Sequence, residues 1–165
     1  MPPRTARLVL TCAVSLLSLA AAQPGLSPAV TAQKKTIQAT YQGINDLAAR
    51  GQLTVQRRTC PNLGPEFILM TDRAGKIRRY AVSHGGEDSA FTVQHDYDPA
   101  GRLSFVLVTL GTVHGAGAEW RYYFAPSGRV IDTVRSGSTT LLSEPFLWTY
   151  ITRDPRLDWT ARWCP

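Results

Sequence analysis

Cysteine, histidine and long apolar runs are all scarce in this sequence of 165 residues, and several motifs of known chemistry are missing from it. There is no phosphate-binding loop, no dinucleotide-binding fingerprint and no metalloprotease helix. The longest almost wholly apolar run, Leu8–Leu19, is shorter than the roughly 20 residues that a membrane-spanning helix needs. These absences exclude the common nucleotide-binding and zinc-protease signatures, and they argue against a permanent membrane anchor.

The first 22 residues have the composition of a secretory signal peptide. Arg4 and Arg7 supply positive charge before the apolar run, and three alanines at 20–22 supply the small residues that signal peptidase requires. We therefore expect cleavage after Ala22, a secreted or periplasmic protein, and one domain over residues 23–165. No transmembrane segment is expected after this cleavage.

Two of the three cysteines, Cys60 and Cys164, lie in the predicted mature chain. An even pair in an exported protein predicts a disulfide bond. The bond would close a loop of about 100 residues, for which the chain-entropy model gives roughly 4–5 kcal/mol of stabilisation. A catalytic thiol is the alternative, but neither cysteine has a histidine near it in sequence.

One amphipathic helix is predicted near the start of the mature chain. Ser27-Pro28 is a favourable helix start and Gly51 is a favourable stop. Apolar residues on a single helical face separate them: Val30, Ile37, Tyr41, Ile44 and Ala48. A helix over about 28–50 therefore presents one apolar stripe, which needs a partner surface.

The rest of the chain is predicted to be extended, and three similar turns divide it into hairpins. Each turn has a short polar stretch, a glycine, a basic residue and an aliphatic residue, and the glycines Gly75, Gly101 and Gly128 are 26 and 27 residues apart. Alternating polarity predicts a strand at residues 53–57. Extended segments rich in aromatic and β-branched residues, separated by turn residues, predict strands at 67–71, 76–83, 91–97, 102–113, 118–124 and 129–135. A further strand is predicted over 141–151, at an edge or a bulge because it contains Pro145.

These elements predict an α+β fold, in which one N-terminal amphipathic helix packs on a curved antiparallel meander sheet of about seven strands. Two shapes fit the pattern. The sheet either wraps the helix, as in cystatin-like or lipoprotein-carrier-like folds, or forms a partly closed barrel whose end the helix covers. Phe105 and Leu107 alternate with Val106 and Val108, so both faces of the central strands should be covered, or one should line a cavity.

The charge balance is mildly basic. Loss of Arg4 and Arg7 with the signal peptide lowers the net charge from +6 to +4. A charge of this sign favours an anionic partner, such as an envelope polymer, a lipid surface or an acidic protein. It does not by itself indicate nucleic acid, and no nucleic-acid partner is expected. Plain solubility is the alternative explanation.

Aromatic residues alternate with arginines towards the end of the chain. Aromatic faces beside guanidinium groups suit sugar rings, peptides or single-stranded nucleic acid. We therefore predict a ligand-binding surface formed by Trp148, Tyr150, Arg156, Trp159, Arg162 and Trp163. The alternative is that the aromatic side chains form a lid over one face of the sheet.

The sequence predicts an exported, non-enzymatic binding module for a cell-wall fragment, a lipid or a protein, and one version is an inhibitor of a cell-wall hydrolase. The alternative is a small secreted hydrolase or metal-dependent enzyme that uses His84, His95 or His114. These histidines lack the spacing of a metal site. His95 and Asp96 are neighbours in a predicted strand and should point to opposite faces. No catalytic residue is assigned, and no cofactor or metal is expected.

Overall fold

The computed structural model describes residues 26–61, 64–138 and 143–161, which form three helices and seven strands. The helices are α1 (Pro28–Ala49), α2 (Glu144–Trp148) and α3 (Pro155–Ala161). The strands are β1 (Thr54–Thr59), β2 (Glu66–Thr71), β3 (Ile77–Gly85), β4 (Ser89–Tyr97), β5 (Leu103–Thr112), β6 (Gly117–Phe124) and β7 (Val130–Gly137). None of the helices in these ranges has the length and apolar character needed to cross a membrane.

Helix α1 confirms the predicted helix and differs from it by one residue at its C-terminal end. The Ser27 hydroxyl accepts a hydrogen bond from the Val30 amide at 3.3 Å, which satisfies one of the free amides of the first turn. Ile37 and Ile44 on the predicted apolar stripe are buried.

The seven strands form one antiparallel sheet in the order of the sequence, from β1 to β7. Each strand pairs with the next, which confirms the predicted meander and the α+β class. The sheet is open, because β1 and β7 form its two edges. Short turns between consecutive strands are sufficient to connect this arrangement.

Helix α1 crosses one face of the sheet from β7 to β3. The Lys34 ammonium contacts the Asp132 carboxylate of β7 at 2.5 Å. Further along, the Tyr41 ring packs edge-on against Phe105 of β5, with 5.1 Å between ring centroids. At its far end, the Asn45 side-chain oxygen accepts a hydrogen bond from Arg79 of β3 at 2.8 Å.

An ion pair is buried beneath α1. Arg79 of β3 donates to both carboxylate oxygens of Asp96 of β4, at 2.6 and 2.8 Å. Asp96 is 0% exposed and Arg79 is 8% exposed. Burial raises the pKa of Asp96, while Arg79 and Gln94 oppose that shift. Water does not solvate these two buried charges. Their stability therefore depends on the two parallel hydrogen bonds between the guanidinium and the carboxylate.

The C-terminal segment, residues 143–161, covers the other face of the sheet. Leu147 of α2 is fully buried in the main core, and Tyr150, Ile151 and Trp159 pack against that core. Val106 and Val108 belong to the same core, whereas Phe105 and Leu107 pack on the α1 side. The prediction that both faces of the central strands are covered is therefore confirmed.

The strand predicted over residues 141–151 is wrong, because residues 144–148 form helix α2. Pro145 lies in the first turn of this helix, where its missing amide is not needed, and Glu144 adds a favourable negative charge there. The sequence therefore marks a helix start where the alternation of apolar residues indicates a strand.

Cys60 is buried, at 4% exposure, and belongs to the main core. Cys164 lies outside the described residues. The disulfide between Cys60 and Cys164 therefore stays a prediction, as do the signal peptide and its cleavage after Ala22.

Candidate functional site

The three repeated turns lie side by side at the same end of the sheet's strands, because they connect β2 to β3, β4 to β5 and β6 to β7. In each turn the glycine amide bonds back to the carbonyl three residues earlier, at 2.8–2.9 Å. Gly75, Gly101 and Gly128 have φ angles of 72°, 80° and 81°, a conformation that favours glycine. A strand irregularity precedes each turn at the same place. The sequence repeat is therefore a repeat of one structural unit.

Aspartates hold the first two turns in shape. The Asp72 carboxylate accepts hydrogen bonds from the Ala74 and Lys76 amides at 3.0 Å. Asp98 accepts equivalent bonds from Ala100 and Arg102 at 2.9 Å. Burial opposes ionisation of both carboxyls, but these hydrogen bonds and a nearby arginine lower the pKa of each below its ordinary value.

The lowered pKa of Asp98 predicts a pH-dependent contribution to stability. An aspartate whose pKa is lower in the folded than in the unfolded chain stabilises the fold above about pH 4. This stabilisation disappears as the pH falls through the lowered value. We expect Asp98→Asn to reduce the free energy of unfolding at pH 7, and to reduce it progressively less as the pH is lowered below about 4, as measured by urea unfolding. An equal loss at every pH would show that the charge contributes nothing.

The C-terminal segment is fastened to the sheet just before it reaches these turns. His95 of β4 is 0% exposed and lies 3.0 Å from the Tyr150 carbonyl through Nε2 and 3.1 Å from the Tyr80 carbonyl through Nδ1. With the proton on Nδ1, the ring donates to the Tyr80 carbonyl and its Nε2 accepts the Thr152 amide at 3.3 Å; with the proton on Nε2, it donates to the Tyr150 carbonyl instead. The Tyr97 hydroxyl donates to the Thr152 carbonyl at 3.1 Å, and burial raises the pKa of Tyr97, which keeps this donor protonated.

Beyond Thr152 the segment places two arginines on the glycine turns. Arg153 donates to the Gly128 carbonyl at 2.9 Å, and Arg156 donates to the Gly75 carbonyl at 3.2 Å. Lys76 donates to the Pro99 carbonyl of the middle turn at 3.1 Å. Each cation therefore contacts a neutral oxygen, and none of the three forms an ion pair with a described carboxylate.

These cations line a cleft of about 390 Å³ between the turns and the C-terminal segment, which we call the turn-edge cleft. The lining residues are Lys76, Ile77, Tyr97, Ala100, Gly101, Arg153, Asp154, Pro155 and Arg156. Asp154 is the acidic residue among them, and its carboxylate accepts the Arg156 and Leu157 amides at 3.1 and 3.0 Å. The cleft is therefore an open, positively charged space.

A second cleft of about 310 Å³ continues from the first along α3. Ile77 and Arg156 line both clefts, and Trp159 lines the second. Arg58 lies over the Trp159 ring, 4.4 Å from its centroid, and donates to the Trp159 carbonyl at 2.9 Å. Together the clefts offer cations at one end and an aromatic side chain at the other.

No protein-family model, no curated protein and no solved structure matches this chain. The site is therefore interpreted from its own residues.

The predicted ligand-binding residues fall into three groups. Arg156 and Trp159 line the clefts. Trp148 and Tyr150 pack against aromatic residues of the sheet, with Trp148 5.6 Å from Tyr122 and 41% exposed. Arg162 and Trp163 lie outside the described residues. The predicted role of all six in ligand binding stays a prediction.

The three histidines occupy separate places. His95 binds backbone groups of the C-terminal segment, and His84 packs against Phe91 and Tyr150. His114 lies in the exposed turn between β5 and β6. No cluster of three or more His, Cys, Asp or Glu side chains suited to a metal ion occurs in residues 26–61, 64–138 and 143–161. His95 and Asp96 face opposite sides of the sheet, since His95 meets the C-terminal segment and Asp96 meets Arg79 under α1.

Sequence reasoning missed Lys76 and Arg153 as site residues. As the basic residue of a repeated turn, Lys76 indicates only a hairpin. The signal that was available is the recurrence of a basic residue after each turn glycine, at Lys76, Arg102 and Arg129. No sequence pattern indicated that Arg153 would reach a turn 25 residues earlier.

Proposed function

We propose that the protein is an exported, non-enzymatic binding domain that takes an anionic ligand in the turn-edge cleft. One observation carries the proposal: Lys76, Arg153 and Arg156 line a single cleft, and among the described residues their side chains hydrogen-bond to backbone carbonyls and form no ion pair. A guanidinium group has five N–H donors and an ammonium group has three, so donors remain for a ligand. Hydrogen bonds between such cations and a carboxylate or phosphate are about twice as strong as neutral ones.

Trp159 extends the proposed site beyond the charged cleft. Its ring lines the adjoining cleft beside Arg156, an arrangement suited to a sugar ring or a planar group attached to the anion. The leader composition of the first 22 residues supports the exported part of the proposal. The packing of α1 across the sheet supports a cystatin-like or lipoprotein-carrier-like arrangement as the finer description of the fold.

The proposal is tested by isothermal titration calorimetry of the protein with inorganic pyrophosphate at low salt. We expect the wild-type chain to bind and the double variant R153A/R156A to bind at least about tenfold more weakly, because each lost charge-assisted hydrogen bond contributes about 1.5–3 kcal/mol. We also expect ³¹P spectra to show the pyrophosphate intact after binding, as a non-enzymatic domain requires.

The control is Lys35→Ala, which removes a single charge from an exposed site on α1, away from the clefts. Its affinity for pyrophosphate should equal that of the wild type. Since Arg153 and Arg156 also fasten the C-terminal segment, R153K/R156K should retain most of the binding if charge is what matters. Failure of the wild type to bind, or an equal loss in Lys35→Ala, would overturn the proposal.

A further inference from the structure

The basic residues of the turn edge form a row and do not converge on one point. The turn edge comprises the turns 72–76, 98–102 and 125–129 together with residues 152–156. Neighbouring strands lie about 4.8 Å apart, so turns on successive hairpins are about 10 Å apart and the row is about 19 Å long. A basic residue occupies the same position after the glycine in each turn, namely Lys76, Arg102 and Arg129.

The C-terminal segment adds further cations along this row. Arg156 binds the glycine carbonyl of the first turn and Arg153 binds that of the third, so they are placed near opposite ends. Arg73 in the first turn and Arg129 in the third are both exposed. Arg102 contacts Asp98 at 2.8 Å, yet its side chain remains 54% exposed. Cations are thus available at all three turns.

The acidic residues of the same edge all accept hydrogen bonds from nearby backbone amides. Asp72 and Asp98 each accept two amides of their own turn, and Asp154 accepts two amides at the start of α3. Asp98 also pairs with Arg102, and Asp72 pairs with Arg78. The edge has six basic residues and these three acidic ones, whereas the remaining described residues contain equal numbers of basic and acidic side chains. The excess positive charge of the described chain is therefore concentrated along this one edge.

We infer that the ligand is a linear polyanion, a chain of repeating phosphate groups that lies across all three glycine turns. This inference rests on the proposed function and specifies its ligand. A compact anion in the turn-edge cleft can contact Lys76 together with Arg153 or Arg156, but it leaves the other arginine, Arg129 and Arg73 without a partner. A chain with regularly spaced charges contacts the whole row, and each added contact releases further counterions from the polymer.

The inference is tested by comparing a long-chain polyphosphate with pyrophosphate at equal phosphate concentration. We expect the polymer to bind at least about tenfold more tightly, because contacts made by one chain reinforce each other. Its binding constant should fall more steeply with salt than that of pyrophosphate, because a polymer that contacts more cations releases more counterions. Arg129→Ala should weaken polymer binding several-fold and make that salt dependence shallower, while pyrophosphate binding stays unchanged.

Lys35→Ala, which removes an equal charge away from the turn edge, is the control. Equal affinity for polymer and pyrophosphate would overturn the inference and leave the proposed function standing. The inference also fails if Arg129→Ala weakens polymer binding no more than Lys35→Ala does, since general attraction then accounts for the result. A separate outcome bears on the proposed function. If the wild type does not bind pyrophosphate, that proposal is wrong.

Discussion

Replacement of Arg79 by methionine is expected to lower the free energy of unfolding by about 3–5 kcal/mol, because it leaves the Asp96 carboxylate buried without its partner. Methionine approximates the length of the arginine stem, so the change mainly removes charge and hydrogen bonds. Urea unfolding followed by circular dichroism measures the loss. The loss should be larger at pH 8 than at pH 5, since burial raises the pKa of Asp96 and protonation then removes the unpaired charge.

The double variant R79M/D96L separates the charge effect from packing. Replacement of a buried ion pair by apolar residues of similar volume is often close to neutral in stability. We therefore expect the double variant to be more stable than Arg79→Met alone, even though it carries one more substitution. If the two substitutions instead add their separate losses, the ion pair is not the reason for the effect.

Replacement of His95 by alanine is expected to cost about 3–5 kcal/mol, because the change opens a cavity in the core and leaves buried backbone groups without partners. The same variant should lose affinity for pyrophosphate. His95 holds residues 150–152, and those residues position Arg153 and Arg156 on the turns. Unfolding in urea measures the first effect, and hydrogen exchange at the Thr152 amide measures release of the segment.

His114→Ala is the control for this experiment. His114 is exposed in the turn between β5 and β6, so its loss should change stability by no more than about 0.5 kcal/mol. If His95→Ala is as stable as His114→Ala, the anchoring role assigned to His95 is wrong.

Local patterns in the sequence predicted the elements whose structure depends on nearby residues. The start of α1 follows from Ser27-Pro28, and the hairpins follow from the repeated turn chemistry at Gly75, Gly101 and Gly128. Alternation along β5 also predicted that Phe105 and Val106 would enter different cores. These features depend on residues within one turn or one strand, which sequence patterns describe well.

Long-range placement could not be predicted in the same way. Arg156 reaches a carbonyl 81 residues earlier, and the His95 ring reaches one 55 residues later. Nothing in the local sequence of either residue identifies such a partner. The strand expected over 141–151 was wrong for a different, local reason, because Pro145 at a helix start outweighed a weak apolar alternation.

The strand order from β1 to β7 also has a kinetic consequence. Every strand pairs with its neighbour in sequence. Each hairpin can therefore form at a small cost in loop-closure entropy. The largest loss of chain entropy comes when α1 and the C-terminal segment dock on the sheet. Docking of α1 brings Lys34 to Asp132, and docking of the C-terminal segment brings Trp159 to Arg58. The ribbon of hairpins can therefore assemble first, and the clefts come into existence only when the final residues dock.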